Sequence, residues 1–97
     1  IDIKKIIDIQ NVTSTPLVLH GSSGISPTLR KQIAHTTNVA KFNIGTELRM
    51  VFGSSLRKYI KKDKKIFDRL KLLNQTTVKI KKKTKKIIKN LSFDKKL

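Results

Sequence analysis

Pro16-Leu17-Val18-Leu19-His20-Gly21-Ser22-Ser23-Gly24-Ile25 and Val39-Ala40-Lys41-Phe42-Asn43-Ile44-Gly45-Thr46 are the two stretches whose reading decides the fold. Each opens on a short apolar run and ends in a glycine-bearing loop. Leu17-Val18-Leu19 shows no polar alternation, so it reads as a strand buried on both faces, as in a parallel sheet. Residues 39–44 read as a second strand. Between them, Ser26-Pro27 starts a helix, with serine as N-cap and proline at the first helical position. Leu29 and Ile33 mark its buried side. Thr36-Thr37-Asn38 ends it, with the asparagine expected to take the left-handed conformation a helix end needs. Repeated strand–loop–helix units place the chain in the α/β class with a parallel sheet.

Working outward, Ile3, Ile6, Ile7 and Ile9 predict a helix with one apolar face, and Pro16 bars it from running on. Gly45-Thr46 turns the chain into a helix whose stripe is Leu48, Val51, Phe52, Leu56, Tyr59 and Ile60. Leu73, Thr77, Ile80, Thr84, Ile87 and Leu91 predict one face of a further helix. Two strands cannot make a stable parallel sheet covered on both faces, so the missing strands are expected from residues outside this sequence. The chain also begins at Ile1 rather than methionine, and a longer protein is expected. The organisation is a helix and turn over 1–15, two strand–loop–helix units over 16–57 and lysine-rich helices over 58–97.

Charge is uneven along the 97 residues, whose formal net charge is +17. Residues 1–57 carry seven basic and three acidic side chains, a net of +4; residues 58–97 carry sixteen and three, a net of +13. Such a tail is the electrostatic footprint of nucleic-acid binding, and a small basic nucleic-acid-binding protein is the rival reading. Against it, Arg69 is the sole arginine of the tail, and Tyr59, Phe67 and Phe93 show no interleaved stacking pattern. Lys79, Lys81, Lys82, Lys83, Lys85, Lys86 and Lys89 fall mostly off the apolar face, which favours a solvated helix surface and no nucleic-acid partner. There is no cysteine, which excludes a disulfide scaffold and a thiol nucleophile. No stretch approaches the ~20 apolar residues of a membrane span, and the first residues lack the apolar core of a signal peptide. No membrane partner and a cytoplasmic location are the expectations.

Both glycine loops precede helices, whose N-termini expose unpaired N–H groups and the positive end of the dipole and so suit phosphate. Ser23 and Thr46 add hydroxyl donors. The same glycines and serines also serve simply as turn formers. His20 closes a strand, as either a hydrogen-bonded histidine or a metal ligand or acid/base group. A metal site needs at least two further ligands, and this chain supplies no convincing ones. His35 reads as a surface or capping residue. Lys41 shares strand parity with Asn43, and there it calls for a carboxylate or a phosphate.

Residues 16–25, taken with Val39-Ala40-Lys41-Phe42-Asn43-Ile44-Gly45-Thr46-Glu47-Leu48-Arg49, resemble class II fructose-bisphosphate aldolases; the related tagatose-bisphosphate aldolases share the pattern. The likeness runs from about Ile3 to about Leu91. It implies the C-terminal portion of a (β/α)8 TIM barrel, with 16–57 as its last two units. It implies a lyase that cleaves fructose 1,6-bisphosphate to dihydroxyacetone phosphate and glyceraldehyde 3-phosphate with a Zn2+ cofactor. By the resemblance, His20 matches a zinc ligand. Gly21, Ser22 and Ser23 match the loop that binds the dihydroxyacetone phosphate moiety, and Asn43, Ile44, Gly45 and Thr46 match the second substrate loop. Phe67-Asp68-Arg69 resembles an Asp-Pro-Arg segment without its proline, which makes Arg69 a substrate contact across a homodimer or larger homo-oligomer.

The implied mechanism has a physical logic: a Lewis-acid metal stabilises the negative charge of the enediolate, while the phosphate loops position the reacting carbons. The other zinc ligands and the catalytic aspartate are expected upstream, so no catalytic residue is assigned here, and the chain alone is expected to be inactive. The stretch from Arg30 to Val39 is longer than the family pattern and lacks its helix-ending glycine. Fructose and tagatose bisphosphate are not separated by these residues.

Overall fold

The computed structural model describes residues 1–92. They run α1 (Ile3–Gln10), β1 (Leu17–Leu19), a 3-10 turn (Ser22–Gly24), α2 (Pro27–Thr36), β2 (Val39–Phe42), α3 (Thr46–Lys62) and α4 (Arg69–Leu91). The chain divides into two compact units, one of residues 1–44 with the segment from Ile87 and one of residues 45–86. Phe93 and the end of the expected 58–97 helical region lie outside the described residues.

In the first unit, Asp2 caps α1 by accepting from the Lys4 N–H at 3.0 Å. Ser26 does the same for α2, its hydroxyl accepting from Leu29 N–H at 3.1 Å with Pro27 next in line. β1 and β2 pair in parallel, Leu17 opposite Val39, Val18 opposite Lys41 and Leu19 opposite Phe42, with an irregularity between Leu17 and Val18. The core is Ile6, Ile33 and Val39, with Ile33 fully enclosed (0% exposed) and Ile3, Leu17, Leu19, Leu29 and Phe42 packed around it. One helix face, one strand face and α2 thus meet in a single apolar cluster.

Three expectations change here. β1 is not buried on both faces: Leu17 and Leu19 turn toward the core, and Val18, pointing the other way along the pleat, is 49% exposed. The apolar face of α1 narrows to Ile3 and Ile6, and Ile7 and Ile9 point to water. The end of α2 uses no left-handed residue. Thr37 is extended at φ −128°, and its N–H (3.1 Å) and hydroxyl (2.7 Å) both donate to the Ile33 carbonyl. Its hydroxyl oxygen also accepts from Val39 N–H at 3.3 Å, so a side-chain oxygen does the work expected of a special backbone angle. Asn38 N–H is held by the Gln10 side chain at 2.8 Å.

In the second unit, α3 begins after Gly45 and α4 after Asp68, whose carboxylate accepts from Leu70 N–H at 2.9 Å. The α3 stripe is narrower than expected: Leu48, Val51, Leu56 and Tyr59 are half-buried, Phe52 and Ile60 are exposed, and Ser55 is buried instead. On α4 the expected face holds at Ile80, Thr84, Ile87 and Leu91, which are buried or half-buried, but its N-terminal end is turned by one position. Thr76 is 2% exposed, whereas Leu73 at 42% and Thr77 face water. Thr76 tolerates burial because its hydroxyl donates to the Leu73 carbonyl at 2.7 Å. Lys83 Nζ reaches Glu47 Oε1 at 3.0 Å and joins α4 to α3.

Ser26→Ala removes one orphan-donor partner from α2 and should lower stability by about 1 kcal/mol, read as a shift of the urea midpoint. A second outcome concerns charge: α4 holds nine basic residues and no acidic one. Lys81–Lys85 and Lys82–Lys86 are like-charge neighbours one turn apart, which oppose the helix and are screened by salt. The melting temperature should therefore rise between low and moderate sodium chloride; a fall would contradict this account.

Candidate functional site

Register creates the site. Because β1 and β2 are parallel and Leu19 pairs with Phe42, the residues that follow, His20 and Asn43, emerge side by side at the same end of the sheet. Asn43 N–H donates to the Leu19 carbonyl at 2.9 Å, carrying the pairing one residue beyond β2. The Asn43 side-chain amide donates to His20 Nδ1 at 3.0 Å and lies 3.5 Å from Nε2. Ser22, wholly buried, donates its hydroxyl to the Asn43 carbonyl at 3.3 Å. The loop after β1 is thereby pinned to the residue after β2.

The local backbone follows from the glycine. Gly21 sits at φ +66°, the left-handed region, and lets the chain turn from β1 into the 3-10 turn. Ile25 N–H donates back to the Ser22 carbonyl at 3.1 Å, and the buried Ile25 side chain anchors the loop. Ser23 is left exposed ahead of the α2 N-terminus. His20 is exposed as well, and Asn43 is half-buried.

The remaining sequence-derived residues are placed as follows. Ile44 is half-buried after Asn43. Gly45 and Thr46 open α3 in the second unit, where the Thr46 hydroxyl accepts from Arg49 Nη2 at 2.9 Å and keeps its own proton to donate. Arg49 lies outside the sequence-derived site, although its three-residue spacing from Thr46 on a helix puts the two in reach. Arg69 is the exposed first residue of α4, set there by the Asp68 cap. Lys41 is exposed, so it needs no buried counter-charge. His35 is half-buried in the last turn of α2.

A bound zinc ion takes at least three protein ligands in a catalytic site. Among the described residues no three His, Cys, Asp or Glu side chains converge to hold a metal ion. His20 is one imidazole with an ordered neighbour. With Asn43 donating to Nδ1, the neutral ring carries its proton on Nε2. To ligate through Nε2, the ring needs the amide reversed, its oxygen accepting from Nδ1–H, as carbonyl partners of metal-bound histidines do. These residues alone do not complete a zinc site.

The sequence pattern described as "Fructose-bisphosphate aldolase class-II" matches residues 1–96. The chain belongs to the class II fructose-bisphosphate aldolase family. It is 39% identical over 75 residues to the fructose-bisphosphate aldolase of Mycoplasma genitalium, covering 71% of this chain and 26% of that protein. To the fructose-bisphosphate aldolase of Geobacillus stearothermophilus it is 37% identical over 65 residues, covering 67% of this chain and 22% of that protein. The chain thus spans about a quarter of the length of the curated relatives it matches. No solved structure matches.

In this aldolase-family chain the left-handed Gly21 and Gly24, three residues on, separate two effects. A Cβ on Gly21 or on Gly24 would meet nothing within 4 Å. Gly21→Ala should still cost about 1–2 kcal/mol from backbone strain. Gly24→Ala should change stability by less than about 0.5 kcal/mol. Denaturant midpoints of the two variants check the difference.

Proposed function

We propose that this chain is the C-terminal part of a class II aldolase, a lyase that cleaves fructose 1,6-bisphosphate into dihydroxyacetone phosphate and glyceraldehyde 3-phosphate in carbohydrate metabolism. The observation that carries the reading is the His20–Asn43–Ser22 arrangement at the shared end of two parallel strands, in a chain of that family. The strand pair has an exposed face at Val18, as expected of a piece of a larger (β/α)8 sheet. In this reading residues 16–57 are the last two barrel units, 1–15 precede them, and the lysine-rich helices of 58–97 close the domain.

Each residue then has a task. His20 supplies one imidazole to a zinc ion whose other ligands lie outside these residues. When bound, that ion supplies Lewis-acid stabilisation of the charge that develops as the carbon–carbon bond breaks. Asn43 holds the His20 ring and presents its amide to the reacting part of the substrate. The Gly21-Ser22-Ser23 loop receives one phosphate, with Ser22 tying the loop to Asn43 and exposed Ser23 offering a hydroxyl. Ile44, Gly45 and Thr46 form the second substrate loop, where the α3 N-terminus and the Thr46 hydroxyl favour phosphate. Arg49, bonded to Thr46, adds positive charge there. Arg69 contacts substrate across a homo-oligomer. A cytoplasmic location and a tagatose-bisphosphate alternative belong to the same reading.

The test uses the full-length protein that carries this chain. His20→Ala should lose most of its bound zinc by elemental analysis and lower kcat/KM at least 100-fold. Asn43→Ala, which removes the ring's partner but leaves the imidazole, should weaken zinc by about 10–100-fold. Unchanged zinc content in His20→Ala, or full activity after complete chelation, would overturn the assignment. Parallel assays on fructose and tagatose bisphosphates settle the substrate.

A further inference from the structure

The outward side of α4 is a surface that the aldolase reading does not use. The second unit, residues 45–86, holds fifteen basic and three acidic residues. All three carboxylates have partners other than these lysines. Glu47 pairs with Lys83 at 3.0 Å, Asp63 accepts from Lys65 N–H at 3.1 Å, and Asp68 accepts from Leu70 N–H at 2.9 Å. Lys71, Lys81, Lys82, Lys85 and Lys86 are all exposed. Among the described residues none of the five has a carboxylate within ion-pair distance.

Helical geometry gathers them. Thr76, the buried centre of α4 in this unit, is nine positions from Lys85, which places the two on opposite sides of the helix. The five ammonium groups fall within an arc of about 140° around Lys85 and extend along about 22 Å of axis. Val78 is the one large apolar side chain inside that arc. An anionic bilayer is therefore disfavoured, because an interfacial helix turns an apolar face to the lipid and this one turns lysines. A row of point charges on a rod matches a linear polyanion. The scarcity of arginine and aromatics argues against reading bases and leaves phosphate contact untouched.

We propose that Lys71, Lys81, Lys82, Lys85 and Lys86 form a sequence-independent contact surface for the phosphate backbone of a nucleic acid. None of the five is among the residues assigned to the proposed sugar-phosphate site. Binding releases condensed counterions and also relieves the repulsion among the lysines themselves.

The probe is a fluorescein-labelled mixed-sequence duplex DNA two helical turns long, titrated with the full-length protein and read by anisotropy. Log K against log salt should fall with a slope of about −4, and a second duplex of unrelated sequence should bind equally. The variant Lys81→Gln, Lys82→Gln, Lys85→Gln, Lys86→Gln should lose most of that slope and at least 30-fold in affinity at low salt, with helicity by circular dichroism undiminished. Lys4→Gln, Lys5→Gln, Lys31→Gln, Lys41→Gln makes the same change in net charge at exposed positions of the first unit and should keep the slope. Equal losses in the two variants would mean that net charge alone acts, and would overturn the proposal. So would the absence of salt-dependent binding, or tighter binding to phosphatidylserine vesicles than to DNA. Aldolase activity is read separately and has no bearing on these outcomes.

Discussion

The pairing of Leu19 with Phe42 is the constraint on which the rest of the site depends. It is a backbone relation, set by two parallel strands and held from one side by Ile6, Ile33 and Val39. A one-residue slip would turn every strand side chain to the other face, taking Leu17 and Leu19 out of the core. It would also separate His20 from Asn43, since each is the first residue past its strand. The apolar cluster therefore maintains the His20–Asn43 contact. Ile33 links the two, because its side chain closes the core and its carbonyl receives both donors of Thr37 just before β2.

Two kinds of polar contact then refine what register begins. Ser22 and Asn43 are joined by a hydroxyl-to-carbonyl bond, so the first loop is positioned by the second strand as well as the first. Gly21 permits the turn that brings Ser22 inward, and Ile25 seals it. The result is a loop whose buried residues are structural and whose residues His20 and Ser23 are exposed. That division of labour is economical for a chain with a small core, because each anchoring residue lies within a few positions of the residue it serves. In the second unit the same logic is local to helix ends: Asp68 caps α4, and Arg49 meets Thr46 within one turn of α3.

Charge is organised differently from chemistry. The carboxylates of the second unit cap, turn or cross-link the helices. None is spent on neutralising the outer lysines of α4. A helix with such repulsion persists because its inner side, centred on Thr76 in this unit, is removed from water. Burial on one side thus sustains a field on the other.

Much of this was legible in the residues themselves. Local rules decide helix starts, so Ser26-Pro27 announced α2, and helical spacing announced α3 and α4. The pairing of a strand-ending histidine with a later Asn–x–x–Thr–Glu–Leu segment carried the resemblance to the family, because the two motifs together are specific where either alone is weak. What the sequence could not decide was anything that depends on which neighbour arrives. Whether Val18 would be covered, which of two adjacent threonines on α4 would turn inward, and how α2 would end were settled by packing. Thr76 rather than Thr77 is buried, and a threonine hydroxyl replaces a left-handed asparagine. Periodicity fixes which residues share a helix face, but only the surfaces that meet it choose the face's centre. The contact between His20 and Asn43 joins residues 23 positions apart, and tertiary register alone could create it.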